Sequence, residues 1–332
     1  MSDNMAKPGF KERYFPNGMM RLVPDGTRIK FMRGRFAGLI VSAVLSLASV
    51  VLFFHPGLNY GIDFKGGIVL EVRTQQPADF TQLRGLLAGL EVGQAALQQF
   101  GSPNDVLIRL PRQPGDDQAQ QRAIATVRAA LARDVAGSEV RRVEAVGASV
   151  SAELFRDGML ALGLSMLAML AYIWFRFEWQ FGVGAIVTLI LDVTKLVGFY
   201  VVADFQFNLT SVAAILTVMG FSINDKVVVY DRMRENLRKY KTMPLRELID
   251  LSINETLART IGTSITIFLA AAPLVLFGGE ALREFSVVTL VGLVIGTSSS
   301  IFIAAPILLF LGENRLRRGT AEPVADAAAK RP

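Results

Sequence analysis

Six separate runs of about twenty predominantly apolar residues constrain this chain more than any other feature, because a helix of that length spans the hydrocarbon core of a bilayer. They cover Phe36–Phe54, Gly158–Phe175, Phe181–Ala203, Leu209–Tyr230, Thr260–Phe277 and Phe285–Leu311. A backbone crossing lipid must satisfy its own amides and carbonyls, so each run reads as an α-helix. Composition agrees: 52% of the 332 residues are hydrophobic, and the mean hydropathy is +0.40. The expected class is a polytopic α-helical membrane protein rather than a soluble enzyme.

Several kinds of chemistry have little to build on. There is no cysteine, and His55, beside the first boundary, is the only histidine. Neither a histidine-based zinc site nor a Ser-His-Asp triad is expected. An enzyme is the weakest reading, since no nucleophile and base come together in the sequence. The net charge of +6 does not point to nucleic acid, because the cations crowd the loops that flank apolar runs. About 35 polar, basic residues precede the first run, longer than the usual charged start of a cleavable signal.

Those cations set the expected orientation. The arm over residues 1–35 carries Lys7, Lys11, Arg13, Arg21, Arg28, Lys30, Arg33 and Arg35. The segment after the fourth span carries Arg232, Arg234, Arg238, Lys239, Lys241 and Arg246. The connection Asp204–Asn208 has no basic residue, and Gly278–Glu284 has only Arg283. The positive-inside rule places both termini in the cytoplasm. Residues 36–54 form the first span, 55–157 an extracytoplasmic domain, and 158–311 the other five spans. Within the last part, residues 235–258 read as a cytoplasmic amphipathic segment. Its Leu245, Leu248, Ile249, Leu251 and Ile253 suit a membrane surface or a partner. Residues 312–332 read as a cytoplasmic, disordered tail.

The outer domain has the pattern strand, helix, strand, strand, helix, strand. Ile68, Leu70 and Val72 alternate with Val69, Glu71 and Arg73, as in a strand with one buried face. Phe80, Leu83, Leu87 and Leu90 recur at helical spacing after Asp79, a capping residue. Gln94–Phe100 is a weaker strand, and Val106, Ile108 and Leu110 mark a clearer one. Ile124, Val127, Leu131 and Val135 mark a second helix, begun by Pro114-Gly115-Asp116, and Val140–Val146 is the last strand. This βαββαβ order predicts a small α+β, ferredoxin-like domain between spans one and two.

The candidate functional residues are charges inside apolar runs. A charged side chain at a helix centre costs roughly 2.5 to 3.5 kcal/mol on insertion scales, so its presence asks for a role. Ser222-Ile223-Asn224-Asp225-Lys226 lies within the fourth run. Span four runs inward and span five outward, so Asp225 and Arg259 both fall toward the cytoplasmic side and are able to meet. Asp225 pairs with Lys226 or Arg259, or Lys226 snorkels to the surface. Asp192 and Lys195, three apart, share one helix face. Gly292 and Gly296 form a small-xxx-small face, followed by Thr297-Ser298-Ser299-Ser300, and Thr260, Thr263, Ser264 and Thr266 add polar contact points for packing. Outside the spans, Tyr60-Gly61-Ile62-Asp63-Phe64-Lys65-Gly66-Gly67 reads as a glycine-bearing turn into the first strand, or as a hinge for the outer domain.

These motifs resemble those of the SecF family of protein-export subunits. The resemblance rests on Gly61-Ile62-Asp63-Phe64-Lys65-Gly66-Gly67, Phe207-Asn208-Leu209-Thr210-Ser211, Gly220-Phe221-Ser222-Ile223-Asn224-Asp225 and Val227-Val228-Val229-Tyr230-Asp231-Arg232-Met233-Arg234-Glu235-Asn236. Leu257-Ala258-Arg259-Thr260 and Gly296-Thr297-Ser298-Ser299-Ser300 also match. It implies a membrane fold of the resistance-nodulation-division (RND) type, with six helices facing six related helices of SecD. It implies a place in the bacterial inner membrane, beside the SecYEG translocon with YajC and YidC, acting on a translocating preprotein. It implies use of the proton-motive force, or of sodium in some members, with Asp225 as the ion-linked carboxylate and Arg259 as its partner; the reading of the charged residues adds Asp192, Lys195 and Lys226 around the ion path. Asn224, Ser222 and Thr263 would support that path, while Gly61, Asp63, Gly66 and Gly67 form the hinge. No cofactor is implied. The chain departs from the resemblance at Lys226, where many members carry Thr or Ser, and at Leu191 and Lys195. A self-contained small-molecule exporter and a passive scaffold of the translocon are the alternatives.

Overall fold

A computed structural model describes residues 23–24, 27–99, 101–115 and 117–311. The expected tail over 312–332, most of the N-terminal arm and Asp116 lie outside the described residues. After one tight turn, Phe31–Gly34, the helices are α1 (Arg35–Phe54), α2 (Ile62–Lys65), α3 (Phe80–Ala88), α4 (Asp117–Asp134), α5 (Ala148–Arg176), α6 (Trp179–Val202), α7 (Leu209–Lys239), α8 (Leu245–Phe277), α9 (Glu280–Ser299) and α10 (Ala305–Leu311). The strands are β1 (Gly67–Arg73), β2 (Ala96–Gln99), β3 (Asp105–Leu110) and β4 (Glu139–Val146). The chain divides into two compact units. One comprises residues 1–57, 164–203 and 213–332, and the other 58–163 and 204–212.

The smaller unit holds a four-stranded antiparallel sheet in the order β2-β3-β1-β4. With α3 after β1 and α4 after β3, this is the expected split βαβ arrangement. Ile68, Leu70 and Val72 face Leu110, Ile108 and Val106 across β1 and β3. Their side chains join Leu83 and Leu87 of α3 and Ile124, Val127 and Leu131 of α4 in one core. Each such side chain contributes about 1.5–3 kcal/mol when taken fully out of water. Asp79 starts α3 by accepting the amides of Thr81 and Gln82 at 2.8 and 3.1 Å. The weak patterns of β2 and β4 have a simple origin. They are the edge strands, and neither buries a full apolar face.

The entry to β1 is more than a turn. Gly61 starts the one-turn helix α2 and donates its amide to Phe207 O at 2.9 Å, while Phe207 returns its own amide to Asn59 O at 2.8 Å. Asp63 Oδ2 accepts the amide of Leu209 at 3.1 Å and so caps α7. Tyr60, Phe64, Phe155 and Phe207 pack edge to face around this junction. Gly67 has φ +130°, and a Cβ there would stand 2.7 Å from Leu110 O, so β1 and β3 approach as closely as they do only with glycine at that point. Residues 204–212, divided by the sequence reading between the connection Asp204–Asn208 and the start of the fourth span, belong to this unit.

Among the described residues six helices are long and apolar enough to cross a membrane. In α1 the apolar residues look outward and small polar residues inward, whereas α6 and α7 also bury Leu189, Leu196, Ile215 and Val218. The side chains that α1 buries are Ser42, Ser46 and Ser49, while Ile40, Leu47 and Phe54 are exposed. That inversion is expected where lipid is the solvent, since tails are as apolar as leucine and close packing selects small residues. α6 is the central helix, flanked by α1 and by α9 and α10 of the last span. α9 meets α7 through Gly292, where a Cβ would fall 2.3 Å from Val218, and through Gly296, where one would fall 3.1 Å from Ser222. The packing role expected of this pair is thereby accounted for.

Two boundaries differ from the hydropathy reading. α5 begins at Ala148, well before Gly158, because the helix continues through a polar stretch that no apolar window detects. The segment 235–258 is not a separate surface element. α7 continues to Lys239, and after a short break at Tyr240–Pro244 α8 runs unbroken from Leu245 to Phe277. Leu245, Leu248, Ile249 and Ile253 are buried inside the unit, and Leu251 is half-buried. The turn before α1 covers part of that face: Met32 is fully buried and donates its amide to Asp250 Oδ1 at 2.8 Å. In the last span the backbone passes through one wide turn, Ser300–Ala304, where the Ala305 amide reaches back to Ser300 O. Pro306 follows directly; it lacks an amide donor and crowds the preceding turn.

Two outcomes follow for the sheet unit. Leu70→Ala empties a fully buried position, and the full-length protein should lose about 2–5 kcal/mol of protection in the β1 and β3 amides by hydrogen exchange. Gly85→Ala, on α3 where a Cβ meets nothing within 4 Å, should add about 0.5–1 kcal/mol in the same measurement. The second outcome concerns acid. Arg73 holds Asp105 in a two-pronged pair at 2.6 Å for each bond and keeps its carboxylate below the usual range. A depressed carboxylate stabilises the fold above its unfolded value, about pH 4, and loses that contribution as pH falls through the folded value. Protection at β3 should drop below about pH 4 in the natural protein, and Asp105→Asn should flatten that dependence.

Candidate functional site

The charges of the larger unit assemble around α6. Asp192 is 1% exposed. Its Oδ2 accepts from Ser222 Oγ at 2.8 Å, Ser299 Oγ at 2.7 Å and Lys226 Nζ at 3.0 Å. Its Oδ1 makes no hydrogen bond but faces Lys195 Nζ at 3.6 Å. One carboxylate thus holds two ammonium groups. The three charged side chains come from α6 and α7, and Ser299 comes from α9. Burying separate charges this deeply would cost several kcal/mol per ion, and pairing with hydrogen bonding is what offsets it. Thr188, one turn before Asp192 on α6, is fully buried and bonds back to Gly184 O.

Asp225 belongs to a different arrangement. Its Oδ1 accepts from Thr260 Oγ1 of α8 at 2.6 Å, and its buried Oδ2 has no hydrogen-bond partner. Among the described residues no cation lies within ion-pair distance of it. Instead it lines a cavity of about 30 Å³, bounded also by Phe221, Asn224, Thr263, Ser264, Gly296 and Thr297. That is room for about two waters in a polar setting. Thr263 Oγ1 donates to Thr260 O at 3.0 Å and Ser264 bonds Thr297 at 3.2 Å, so the walls are themselves tied together.

The pairings expected from sequence are therefore redrawn. Lys226 neither pairs with Asp225 nor snorkels; its side chain is 1% exposed and points to Asp192. Successive helical residues diverge by about 100°, so Asp225 and Lys226 cannot serve one face. The expected Asp225–Arg259 pair is absent for the same reason. Arg259 is exposed, and its neighbour Thr260 takes the position that faces Asp225. Asn224 is also exposed, beside the cavity. Asp192 and Lys195 do share a face, and Ser222 and Thr263 do sit at the charged groups. Gly61, Asp63, Gly66 and Gly67 lie in the other unit, with Asp63 at the head of α7, the helix that carries Asp225 further along. Sequence reasoning placed Thr260 and Ser299 among packing residues; their spacing matched helix contacts, and only the partner helices reveal their roles.

The string Asp231–Asn236 is more than an anchor. Asp231 bonds Arg176 at 2.8 Å, and Arg232 bonds Glu255 at 2.7 Å and Glu235 at 2.5 Å. Buried Asn236 donates to Ser252 at 3.0 Å and Glu255 at 2.7 Å. One turn of α7 thus clasps both the end of α5 and the first half of α8.

Comparison with known proteins places this architecture. The family described as Protein export membrane protein SecD/SecF, C-terminal, matches residues 126–314, and the SecD/SecF GG Motif matches residues 51–78. Protein translocase subunit SecF of Rickettsia felis is 43% identical over 276 residues, covering 83% of this chain and 89% of the relative. Protein translocase subunit SecDF of Brucella abortus is 42% identical over 285 residues, covering 86% of this chain but 37% of that longer protein. The crystal structure of SecDF, a translocon-associated membrane protein from Thermus thermophilus, superposes with a TM-score of 0.78 at 31% identity, over 87% of this chain and 40% of that one. A SecDF structure in a super-membrane-facing form gives a TM-score of 0.58 at 30% identity, over 92% of this chain and 40% of that one. With its sheet unit, its six candidate membrane helices and its glycine-bearing junction all accounted for, this chain belongs to the SecF family of protein-export membrane proteins.

Proposed function

We propose that this chain is the SecF subunit of a protein translocase and couples ion movement at Asp225 to the late stage of preprotein export across the bacterial inner membrane. The observation that carries the reading is the contrast between a fully buried carboxylate, Asp192, and a half-buried one, Asp225. Asp192 faces two cations and two hydroxyls, and its one oxygen without a hydrogen bond, Oδ1, stands opposite Lys195, a structural arrangement. Asp225 has one hydrogen bond, one free oxygen and a cavity able to hold water, which is what a group that gains and loses a proton requires. A carboxylate that becomes neutral no longer needs its donor or its water. The bond from Thr260 then loses its charge assistance, and α7 and α8 are free to repack. α7 is one continuous helix from its Asp63 cap to Lys239, so a shift in its packing reaches the head of the helix at the sheet unit. One charge crossing 100 mV supplies about 2.3 kcal/mol, comparable to a few lost contacts. Support for two arrangements comes from the relatives, whose two SecDF structures superpose on this chain with TM-scores of 0.78 and 0.58.

In this reading the partner is a SecD subunit, present as part of the same chain in the SecDF relatives. It supplies six further helices, and the pair works beside the SecYEG translocon with YajC and YidC. The exposed Arg259 and Asn224 then stand where a neighbouring subunit or a second arrangement supplies their partners. Both termini are cytoplasmic, as the distribution of cations supports, and the chain performs no bond-breaking chemistry of its own.

Inverted membrane vesicles carrying the SecD partner test the reading. Asp225→Asn should abolish potential-dependent completion of preprotein export while leaving the protein assembled. Thr260→Val should lower its rate several-fold without abolishing it. Full potential-dependent export by assembled Asp225→Asn vesicles would reject ion coupling at this residue and leave a passive scaffold.

A further inference from the structure

The ammonium group of Lys226 sits in a seat built for more than a salt bridge. Four oxygens face Nζ: Asp192 Oδ2 at 3.0 Å, Ser299 Oγ at 3.2 Å, the Ser222 carbonyl at 3.3 Å and Ser222 Oγ. An ammonium has three N–H donors, one fewer than the acceptors around it. Ser222 and Ser299 also direct hydroxyl hydrogens to Asp192 Oδ2, at 2.8 and 2.7 Å. Their lone pairs are thereby left for Nζ. One carboxylate, one peptide carbonyl and two hydroxyls make an all-oxygen donor set of the kind hard cations select. The ligands come from α6, α7 and α9, so the cage exists only when these helices pack. It is also buried: Asp192, Ser222, Lys226 and Ser299 are 1%, 3%, 1% and 1% exposed.

We propose that this cage is a monovalent-cation site whose ion is built into the chain: Lys226 Nζ occupies the position that a dissolved Na⁺ or K⁺ would otherwise fill. An alkali cation carries the same charge as the ammonium, so exchanging one for the other leaves the electrostatics of Asp192 unchanged. Lys195, at 3.6 Å from the opposite carboxylate oxygen, lies outside the four-oxygen seat and gives Asp192 a second cation. The protein consequently needs no free alkali ion to hold α6, α7 and α9 together. The inference goes beyond the reading of Asp225, which bonds Thr260 and not this cage.

The test uses the full chain in lipid nanodiscs, with thermal loss of helical circular dichroism recorded in choline, sodium and potassium chloride at equal ionic strength. The natural protein should melt at the same temperature in all three. Lys226→Ala vacates the seat, and its melting temperature should rise by several degrees, saturably, in one alkali salt over choline. Lys195→Ala/Lys226→Ala, which also lacks the second internal cation, should show a larger rise. Lys226→Met refills the seat with an apolar chain and should ignore the salt. The proposal is overturned if both alanine variants are indifferent to the cation, or stay unfolded in all three salts, since a vacant cation cage is restored by its ion. A natural protein stabilised by sodium or potassium over choline overturns it equally.

Discussion

The helix bundle depends on the carboxylate of Asp192. It stands on the central helix and gathers Ser222 and Lys226 from α7 and Ser299 from α9 onto one oxygen. In lipid there is no hydrophobic drive to press helices together, so association rests on close packing and on polar groups that have nowhere else to go. Removing the carboxylate would leave two buried ammonium groups without a counter-charge; removing the ammonium groups would leave a buried carboxylate. Each strands the other, which is why such a cluster, once buried, holds a specific arrangement of helices.

Around this cluster, glycine and serine do the work that leucine and valine do in a water-soluble core. Gly292 and Gly296 let α9 close on α7, and that closeness brings Ser299 within reach of Asp192. The serine stripe of α1 faces inward while its leucines and phenylalanines face out. The sheet unit follows the opposite rule, with Ile68, Leu70 and Val72 inside and charged residues outside. One chain therefore obeys two solvents, and the change of rule along the sequence marks the change of environment.

Among the described residues Asp192 has an ammonium opposite each of its oxygens, while Asp225 has no cation within ion-pair distance. The difference between them is the difference between a fastener and a group that can change state. Thr260 offers one hydrogen bond that is useful while the carboxylate is charged, and the cavity beside it offers water in either state. The Asp63 cap at the other end of the same helix joins the glycine-bearing junction to α7, so that junction is an anchored corner in this arrangement.

The number of membrane helices, the βαββαβ order, the buried faces of β1 and β3 and the capping Asp79 were all legible in the sequence, because each follows from local periodicity. So were the charges inside apolar runs, because such a charge is conspicuous wherever it points. The partners were not legible. Asp225 and Lys226 are adjacent in the chain yet serve different helices, and Arg259 yields to Thr260 at the position that meets Asp225. Sequence alone determines which residues share a helix, and roughly which face each one takes, since that is set by 3.6 residues per turn. Only the tertiary structure decides which helix stands opposite that face. Here that depended on contacts as small as a missing Cβ at Gly296, summed over helices far apart in the chain.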